Sequence, residues 1–199
     1  MKSNIDGAIK RAKELLIKAD ASHGLDHAER VLEYALKIAQ AHEEADLEVL
    51  EIACWWHDVG RISGDRNHPR ASAILVEAEL PSFGFVPDFI QEVREAISNH
   101  SSHAVIEPSN IEGKILKDAD KLEYITPERW RRGTQENFFL YFDPAIEGIP
   151  KIRNNMLFFD ESKALYDELL SELKDYAKSE KSLGFAKYRD RILSLEPLK

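Results

Sequence analysis

The segment from Asp46 to Gly60 constrains the fold of this chain more than any other. Its apolar residues, among them Ala53, Cys54 and Trp56, surround most of the circumference of a helix. A helix of this kind has to be buried on nearly all sides, so we interpret it as the central helix of the protein. The flanking residues predict that this helix begins at Asp46 and ends at Gly60.

His57 and Asp58 stand side by side at the end of this apolar run. Successive helical residues are about 100° apart, so the imidazole and the carboxylate can flank one point beside the helix without facing the same way. Two neighbours cannot complete a coordination sphere, because sites of this type take nitrogen and oxygen ligands from several elements. The doublet therefore predicts a metal site whose other ligands lie elsewhere in the chain.

Apolar residues elsewhere recur at the three-and-four spacing that is typical of helices with one buried face. The predicted helices begin near residues 8, 26, 46, 69, 87, 111 and 160, and no alternating stretch is long enough to predict a strand. The pattern indicates an all-α fold in a single domain over residues 1–199. Residues after about 126 are expected to form a variable helical C-terminal part, of which the region before residue 160 cannot be assigned firmly.

Three further histidines fall on buried faces or at helix ends. His27 lies four residues before Val31 on an inward face, His100 continues another inward face, and His68 stands at the start of a helix. A lone inward histidine is more often a core residue than a ligand. Burying several ionisable groups without a cation would cost several kcal/mol, however, and a divalent metal removes that penalty.

The helix near residue 111 adds two acids, Asp118 and Asp120, which flank its buried stripe. Helical phase does not separate them, so either one is a candidate ligand. A mixture of histidine and aspartate without cysteine favours Mn, Fe, Co, Ni or Zn, or Mg if water supplies much of the shell. The sequence predicts a divalent metal ion without identifying the metal.

Composition narrows the partners of the protein. The formal charge of -9 disfavours a nucleic acid polymer as the main partner. Cys54 is the only cysteine, which excludes an internal disulfide and fits a reducing cytosol. No stretch approaches the roughly 20 apolar residues of a membrane span, so we expect a cytoplasmic protein without a membrane partner.

Three pieces of the sequence resemble the signature of the HD-domain metal-dependent phosphohydrolases. They are His27-Ala28-Glu29-Arg30-Val31, His57-Asp58-Val59-Gly60 and Asp118-Ala119-Asp120-Lys121-Leu122. Order, spacing and helical setting agree over about residues 20–125. The resemblance implies a compact HD-domain helical bundle with a metal centre between helices. It also implies the four metal ligands, which are His27, His57, Asp58 and Asp120.

Other motifs are similar to a small bacterial and archaeal branch that includes nucleotide pyrophosphohydrolases. They are Ser22–His27, the helix start at His68 and Ile97–Ser101, whereas residues 123–130 depart from that branch. The resemblance implies a hydrolase that cleaves a phosphoester or phosphoanhydride of a small molecule by metal-activated water. A nucleotide is the favoured substrate, and pyrophosphohydrolase and phosphatase chemistry both stay open.

The resemblance suggests roles for the remaining polar residues near the ligands. His68 and His100 are candidate catalytic residues, which hold a second metal or bind phosphate and move protons. Arg30, Arg61 and Lys121 are candidate substrate-binding residues, because each is a cation next to a ligand. For Arg30 and Lys121, a solvated helix face or an ion pair is the competing interpretation.

Two other functions are weighed against hydrolysis: a di-iron oxygenase on the same scaffold, and a non-catalytic ligand-binding module. Iron content and oxygen uptake would favour the oxygenase, while intact residues at all four ligand positions count against the binding module. The aromatic cluster Phe138–Phe142 is interpreted as core or as a dimer contact, so a homodimer also stays open.

Overall fold

A computed structural model describes residues 4–19, 23–64, 67–101 and 106–198 of the protein. These residues form ten α-helices and no β-strand, which confirms the predicted all-α fold. The chain divides into two compact units, Met1–Asp120 and Lys121–Lys199. Among the helices of the described residues, none combines the length and apolar character that a membrane crossing requires.

Five helices lie wholly in the first unit, and a sixth crosses its boundary. Their bounds are Ile5–Leu16 (α1), Leu25–Ala39 (α2), Leu47–Trp56 (α3), His68–Glu79 (α4), Pro87–Ser98 (α5) and Ile111–Glu123 (α6). Two short 3-10 helices, Val59–Ser63 and Leu80–Phe83, complete this unit. Each of these six helices begins within three residues of a predicted start.

The buried helix α3 is the centre of the first unit, as its sequence predicts. It packs against α1, α2 and α5, and residues such as Leu50, Ile52 and Trp56 have no exposed surface. Asp46 caps its N-terminus, because one carboxylate oxygen accepts hydrogen bonds from the backbone N–H groups of Glu48 and Val49.

The predicted end of α3 at Gly60 is wrong. The α-helix ends at Trp56, and the chain tightens into the 3-10 helix Val59–Ser63, of which Gly60 is part. Glycine is required there by close packing, since a Cβ atom at this position would lie 2.5 Å from both the carbonyl oxygen of His68 and the backbone nitrogen of Ser72. This contact presses the 3-10 helix against the first turns of α4.

The second unit contains four further helices, α7 to α10. Their bounds are Pro127–Gln135, Phe142–Asn155, Asp160–Ser179 and Ala186–Leu193, with a 3-10 helix at Phe139–Tyr141. The long helix α9 packs against α7, α8 and α10. The sequence pattern does not predict α7 or α8, because a basic run in α7 and Pro150 inside α8 interrupt the apolar spacing.

The aromatic cluster is divided between the core of the second unit and its surface. Phe142 is buried and packs edge-to-face on Phe139 and Tyr188, whereas Leu140 is 81% exposed. The prediction that this cluster contributes to the core therefore holds for Phe142. A single HD-type domain over the whole chain stays a prediction.

Candidate metal centre

Five ionisable side chains from four elements meet in the first unit. His27 stands in the first turn of α2, His57 and Asp58 directly follow α3, His68 is the first residue of α4, and His100 follows α5. All except His68 are at least 98% buried. The structure thus brings together residues that are up to 73 positions apart in sequence (100 minus 27).

The first group of possible metal donors contains His27, His57 and Asp58, whose ligand atoms lie within 4.8 Å of one another. The Nε2 atoms of the two imidazoles are 3.1 Å apart. Oδ2 of Asp58 lies 3.6 Å from Nε2 of His27 and 3.8 Å from Nε2 of His57. Three donors therefore point at one small volume, as ligands of a metal ion do.

The second group contains Asp58, His68 and His100. Oδ1 of Asp58 lies 3.2 Å from Nε2 of His68 and 3.7 Å from Nε2 of His100, and the two imidazole atoms are 3.3 Å apart. The two oxygens of Asp58 consequently face different groups. A carboxylate in this position can bridge two ions.

Asp120 approaches the first group, with Oδ1 3.5 Å from Nε2 of His27. Its side chain is 15% exposed, whereas Asp118, two positions earlier on α6, is fully buried. Asp120, one of the two acids that helical phase leaves open, thus lies beside His27. Its role as a ligand stays a prediction.

Backbone carbonyls orient two of the imidazoles. Nδ1 of His57 donates to the carbonyl of Cys54, and Nδ1 of His100 donates to the carbonyl of Ile97, both at 2.7 Å. A carbonyl oxygen only accepts hydrogen bonds, so Nδ1 carries the proton in the neutral rings and Nε2 keeps its lone pair. This is the tautomer that metal ligands need, and the partner on Nδ1 holds the ring in place.

Burial also keeps two of the imidazoles neutral. It lowers the pKa of His57 to about 4 and the pKa of His68 to about 3. For Asp58, burial by itself raises the pKa, but the neighbouring imidazoles of His57, His100 and His27 and the charge of Arg61 outweigh it and hold the pKa of this carboxyl well below its usual value. Near neutral pH the centre therefore contains the ionised carboxylate of Asp58 and the neutral imidazoles of His57 and His68.

The carboxylate of Asp58 supports a fit to a cation. Neither of its buried oxygens receives a well-aligned hydrogen bond from the residues that the structure describes. A buried ionised group is costly unless positive charge compensates it, and a metal ion would supply such charge in addition to the guanidinium of Arg61, 2.7 Å away. Together with the nitrogen and oxygen donors around it, Asp58 makes this cluster compatible with a divalent metal site, without identifying the metal.

The three predicted substrate-binding cations have different surroundings. Arg61 lies in the centre, with Nε 2.7 Å from Oδ2 of Asp58 and Nη2 3.1 Å from Nε2 of His68. Arg30 is half-buried on α2, three residues after His27. Lys121 is buried on α6 next to Asp120. A role in substrate binding stays a prediction for all three.

Ser72 is a residue of the site that the sequence analysis missed. Its buried hydroxyl donates to the carbonyl of His57 at 2.6 Å and accepts the backbone N–H of Gly60 at 2.9 Å. It stands one helical turn after His68 on α4, so it ties the turn that carries the doublet to the helix that carries His68. The sequence does contain a signal for Ser72, because a small polar residue four positions after the ligand candidate His68 lies on the same face of the helix.

His23, in the motif that begins at Ser22, packs edge-to-face on the ring of His27 with centroids 5.7 Å apart. His23 thus packs against the ring of His27 without belonging to either donor group. Ser22 itself lies outside the described residues.

Comparison with known proteins agrees with this geometry. The HD domain profile matches residues 24–125, just over half of the chain. A predicted HD superfamily hydrolase from an uncultured Thermotogales bacterium is 25% identical, with a TM-score of 0.66 over 87% of this chain and 89% of that one. A protein from Lactobacillus plantarum, 20% identical, has the same fold, with a TM-score of 0.63 over 87% and 95% of the two chains. No curated protein matches in sequence. By the profile match and the two groups of histidine and aspartate, this chain belongs to the HD domain family.

Proposed function

We propose that the protein is a metal-dependent phosphohydrolase that cleaves a phosphoester or phosphoanhydride of a small molecule. Membership of the HD domain family, the similarity to a predicted HD hydrolase and the buried cluster support a metal-dependent hydrolase in general. The observation that carries the finer proposal is Asp58, whose two oxygens face two separate groups of donors. Two-metal sites bridged in this way are suited to in-line displacement at phosphorus.

Each group would hold one ion. His27, His57 and Asp58, joined by Asp120, would hold the first, and Asp58, His68 and His100 would hold the second. Bound divalent ions at such a site lower the pKa of water and offset negative charge on phosphate oxygens. The carbonyl contacts of His57 and His100 would keep the donor atoms aimed at the ions during the reaction.

His68 and Arg61 are the best placed to meet a substrate. Their side chains are 13% and 29% exposed, whereas the other three histidines of the cluster have almost no exposed surface. The guanidinium of Arg61 can bind two phosphate oxygens at once. As parts of this proposal, we assign phosphate binding to Arg61 and binding of the second ion to His68, whose Nε2 lone pair is then used for coordination.

A nucleotide is the substrate that we favour, on the strength of the motif similarity to nucleotide pyrophosphohydrolases. A protein that acts on a small phosphorylated molecule also agrees with the net charge of -9, which disfavours polymeric nucleic acid. The choice between pyrophosphohydrolase and phosphatase depends on which bond is cleaved, and the products report it directly.

The experiment is a screen of nucleotides and general phosphoesters with Mn, Mg, Co and Ni, in which phosphate and pyrophosphate are measured separately. We expect metal-dependent release of one of them, and chelation should abolish it. Release of neither product with any metal would overturn the proposal. Bound iron together with oxygen uptake would instead support the oxygenase alternative.

A further inference from the structure

One guanidinium touches both donor groups of the centre. Nε of Arg61 lies 2.7 Å from Oδ2 of Asp58, the oxygen that faces His27 and His57. Nη2 of the same side chain lies 3.1 Å from Nε2 of His68, which belongs to the other group. Arg61 therefore stands at the junction of the two groups, against the atoms that would coordinate metal.

The contact with Asp58 is electrostatic in character. The Nε atom of Arg61 is buried, and although it is close to the carboxylate it makes no well-aligned hydrogen bond within the described residues. Arginine keeps its charge at any pH that a protein tolerates, while Asp58 is 1% exposed and has little access to water. Arg61 thus provides a positive charge for a carboxylate that solvent cannot stabilise.

The same geometry is unfavourable once the centre contains metal. A divalent ion that uses Oδ2 of Asp58 as a ligand would lie next to the positive guanidinium of Arg61. The lone pair of His68 that faces Arg61 would also be needed to coordinate metal. Like charges at this separation repel strongly in a site of low polarity. Metal binding and the observed position of Arg61 therefore oppose each other.

The surroundings of Arg61 allow its side chain to move. It belongs to the 3-10 helix Val59–Ser63, and the side chain is 29% exposed, so it borders solvent as well as the buried carboxylate. A rotation of the side chain would turn the guanidinium away from Asp58 and towards solvent, where it could meet an anionic ligand.

We infer that Arg61 is an internal counter-ion of the metal-free centre, which metal displaces from Asp58 and thereby frees to bind a phosphate group. The first half of this inference, the displacement of Arg61 from Asp58, concerns metal alone. The second half, phosphate binding by the freed Arg61, rests on the proposed phosphohydrolase function. The exchange makes the binding order obligatory: metal first, then the phosphorylated ligand.

The first test is a calorimetric titration of the metal-free protein with Mn²⁺. Arg61→Gln, which removes the competing charge, should bind Mn²⁺ about tenfold more tightly than the unchanged protein. Arg61→Lys should stay near the unchanged protein. Arg70→Gln is the matched control, because Arg70 is an exposed arginine on α4 and the charge change is the same. Equal or weaker Mn²⁺ binding by Arg61→Gln would overturn the inference.

The second test separates displacement from a general effect of charge. In nitrogen-15 spectra, the Nε–H signal of Arg61, identified by its loss in Arg61→Gln, should shift when diamagnetic Zn²⁺ saturates the protein and shift again when inorganic phosphate is added. A signal that does not respond to Zn²⁺ would overturn the displacement. With Zn²⁺ present, phosphate should bind about tenfold more weakly to Arg61→Gln, and equal binding would overturn the second half.

These outcomes are distinguishable from a failure of the proposed function. If neither the unchanged protein nor Arg61→Gln binds metal, both the metal centre and the inference are rejected. If metal binds and the substrate screen is negative, the phosphohydrolase proposal fails while the displacement of Arg61 by Zn²⁺ still decides the first half. If hydrolysis is observed and Arg61→Gln binds Mn²⁺ no more tightly, the inference alone fails.

Discussion

The Nε2 atoms of His27 and His57 lie 3.1 Å apart in a fully buried setting. Because the other ring nitrogen of His57 donates to the carbonyl of Cys54, the neutral ring of His57 directs a lone pair at His27. A cation between the two rings would accept a lone pair from each of them. A hydrogen bond between two neutral imidazoles uses the lone pair of only one. Metal binding by the centre and the contacts that hold its ligands in place can be measured separately.

Replacement of Asp58 by alanine should abolish metal binding and hydrolysis together, since both donor groups contain this residue. The helical circular dichroism should persist, because the fold is made by the apolar faces of the helices. Elemental analysis and a phosphate-release assay measure the two losses. Asp88→Ala, at an exposed position on α5, is the control. Full activity of metal-depleted Asp58→Ala would contradict the proposed mechanism.

The number of ions tests whether His68 and His100 form a second site. Two donor groups that share Asp58 predict about two metals per chain at saturation. His100→Ala should lower this number to about one and leave the group of His27 and His57 able to bind. Elemental analysis after removal of excess metal gives the count. A value of one for the unchanged protein would reject the second site.

Ser72→Ala should destabilise the protein and loosen the turn that contains the doublet. The change removes the bond to the carbonyl of His57 and leaves the buried N–H of Gly60 without its acceptor, at a cost of about 2 kcal/mol in the free energy of unfolding. Denaturant unfolding measures this cost. Ser98→Ala, which removes an exposed serine hydroxyl, should have little effect. Similar results for both variants would show that Ser72 does not hold the turn.

Gly60→Ala should be more damaging than an ordinary glycine substitution. The added Cβ would lie 2.5 Å from backbone atoms of His68 and Ser72, so the 3-10 helix and α4 would have to separate. We expect a loss of about 2 kcal/mol or more in stability, with weakened metal binding. Gly148→Ala is the matched control, because nothing lies within 4 Å of its Cβ position in α8. Alanine should stabilise that helix by about 0.5–1 kcal/mol. Equal effects at the two glycines would contradict the packing argument.

Acid should destabilise the metal-free protein before the carboxylates titrate. Burial lowers the pKa of His57 to about 4 and that of His68 to about 3, from a usual value of 6.5. Between pH 6.5 and 4 the unfolded chain therefore binds more protons than the folded protein, and the free energy of unfolding falls as the pH falls. Denaturant unfolding across this range measures the slope, which should be smaller for His68→Asn. A stability that is constant or rises on acidification would contradict this prediction.

Much of the fold could be predicted because its determinants are local. The apolar residues of α3 surround the helix, and those of α2 and α5 lie on one face, so each pattern indicates a helix without reference to the others. The prediction failed at Gly60, where glycine looked like a helix stop. Its requirement comes from contact with α4, which no local pattern reveals.

The second unit shows the same limit. The apolar spacing of α7 and α8 is broken by charged residues and by Pro150, and these helices are held by partners such as α9 and the aromatic contacts of Phe142. Contacts between distant parts of the chain override weak local preferences. For this reason the helix that begins near residue 160, α9, was predictable, whereas α7 and α8 before it were not.

The sequence by itself determined the helical class, the central helix and the candidate ligands, since apolar periodicity and residue chemistry are local properties of the chain. Only the tertiary structure decided which of these side chains meet. It brought the two oxygens of Asp58 between two pairs of histidines, set Asp120 beside His27, and joined Ser72 to the doublet. The reason is physical: distances between donor atoms depend on how helices pack and where their turns end, and these are properties of the assembled core.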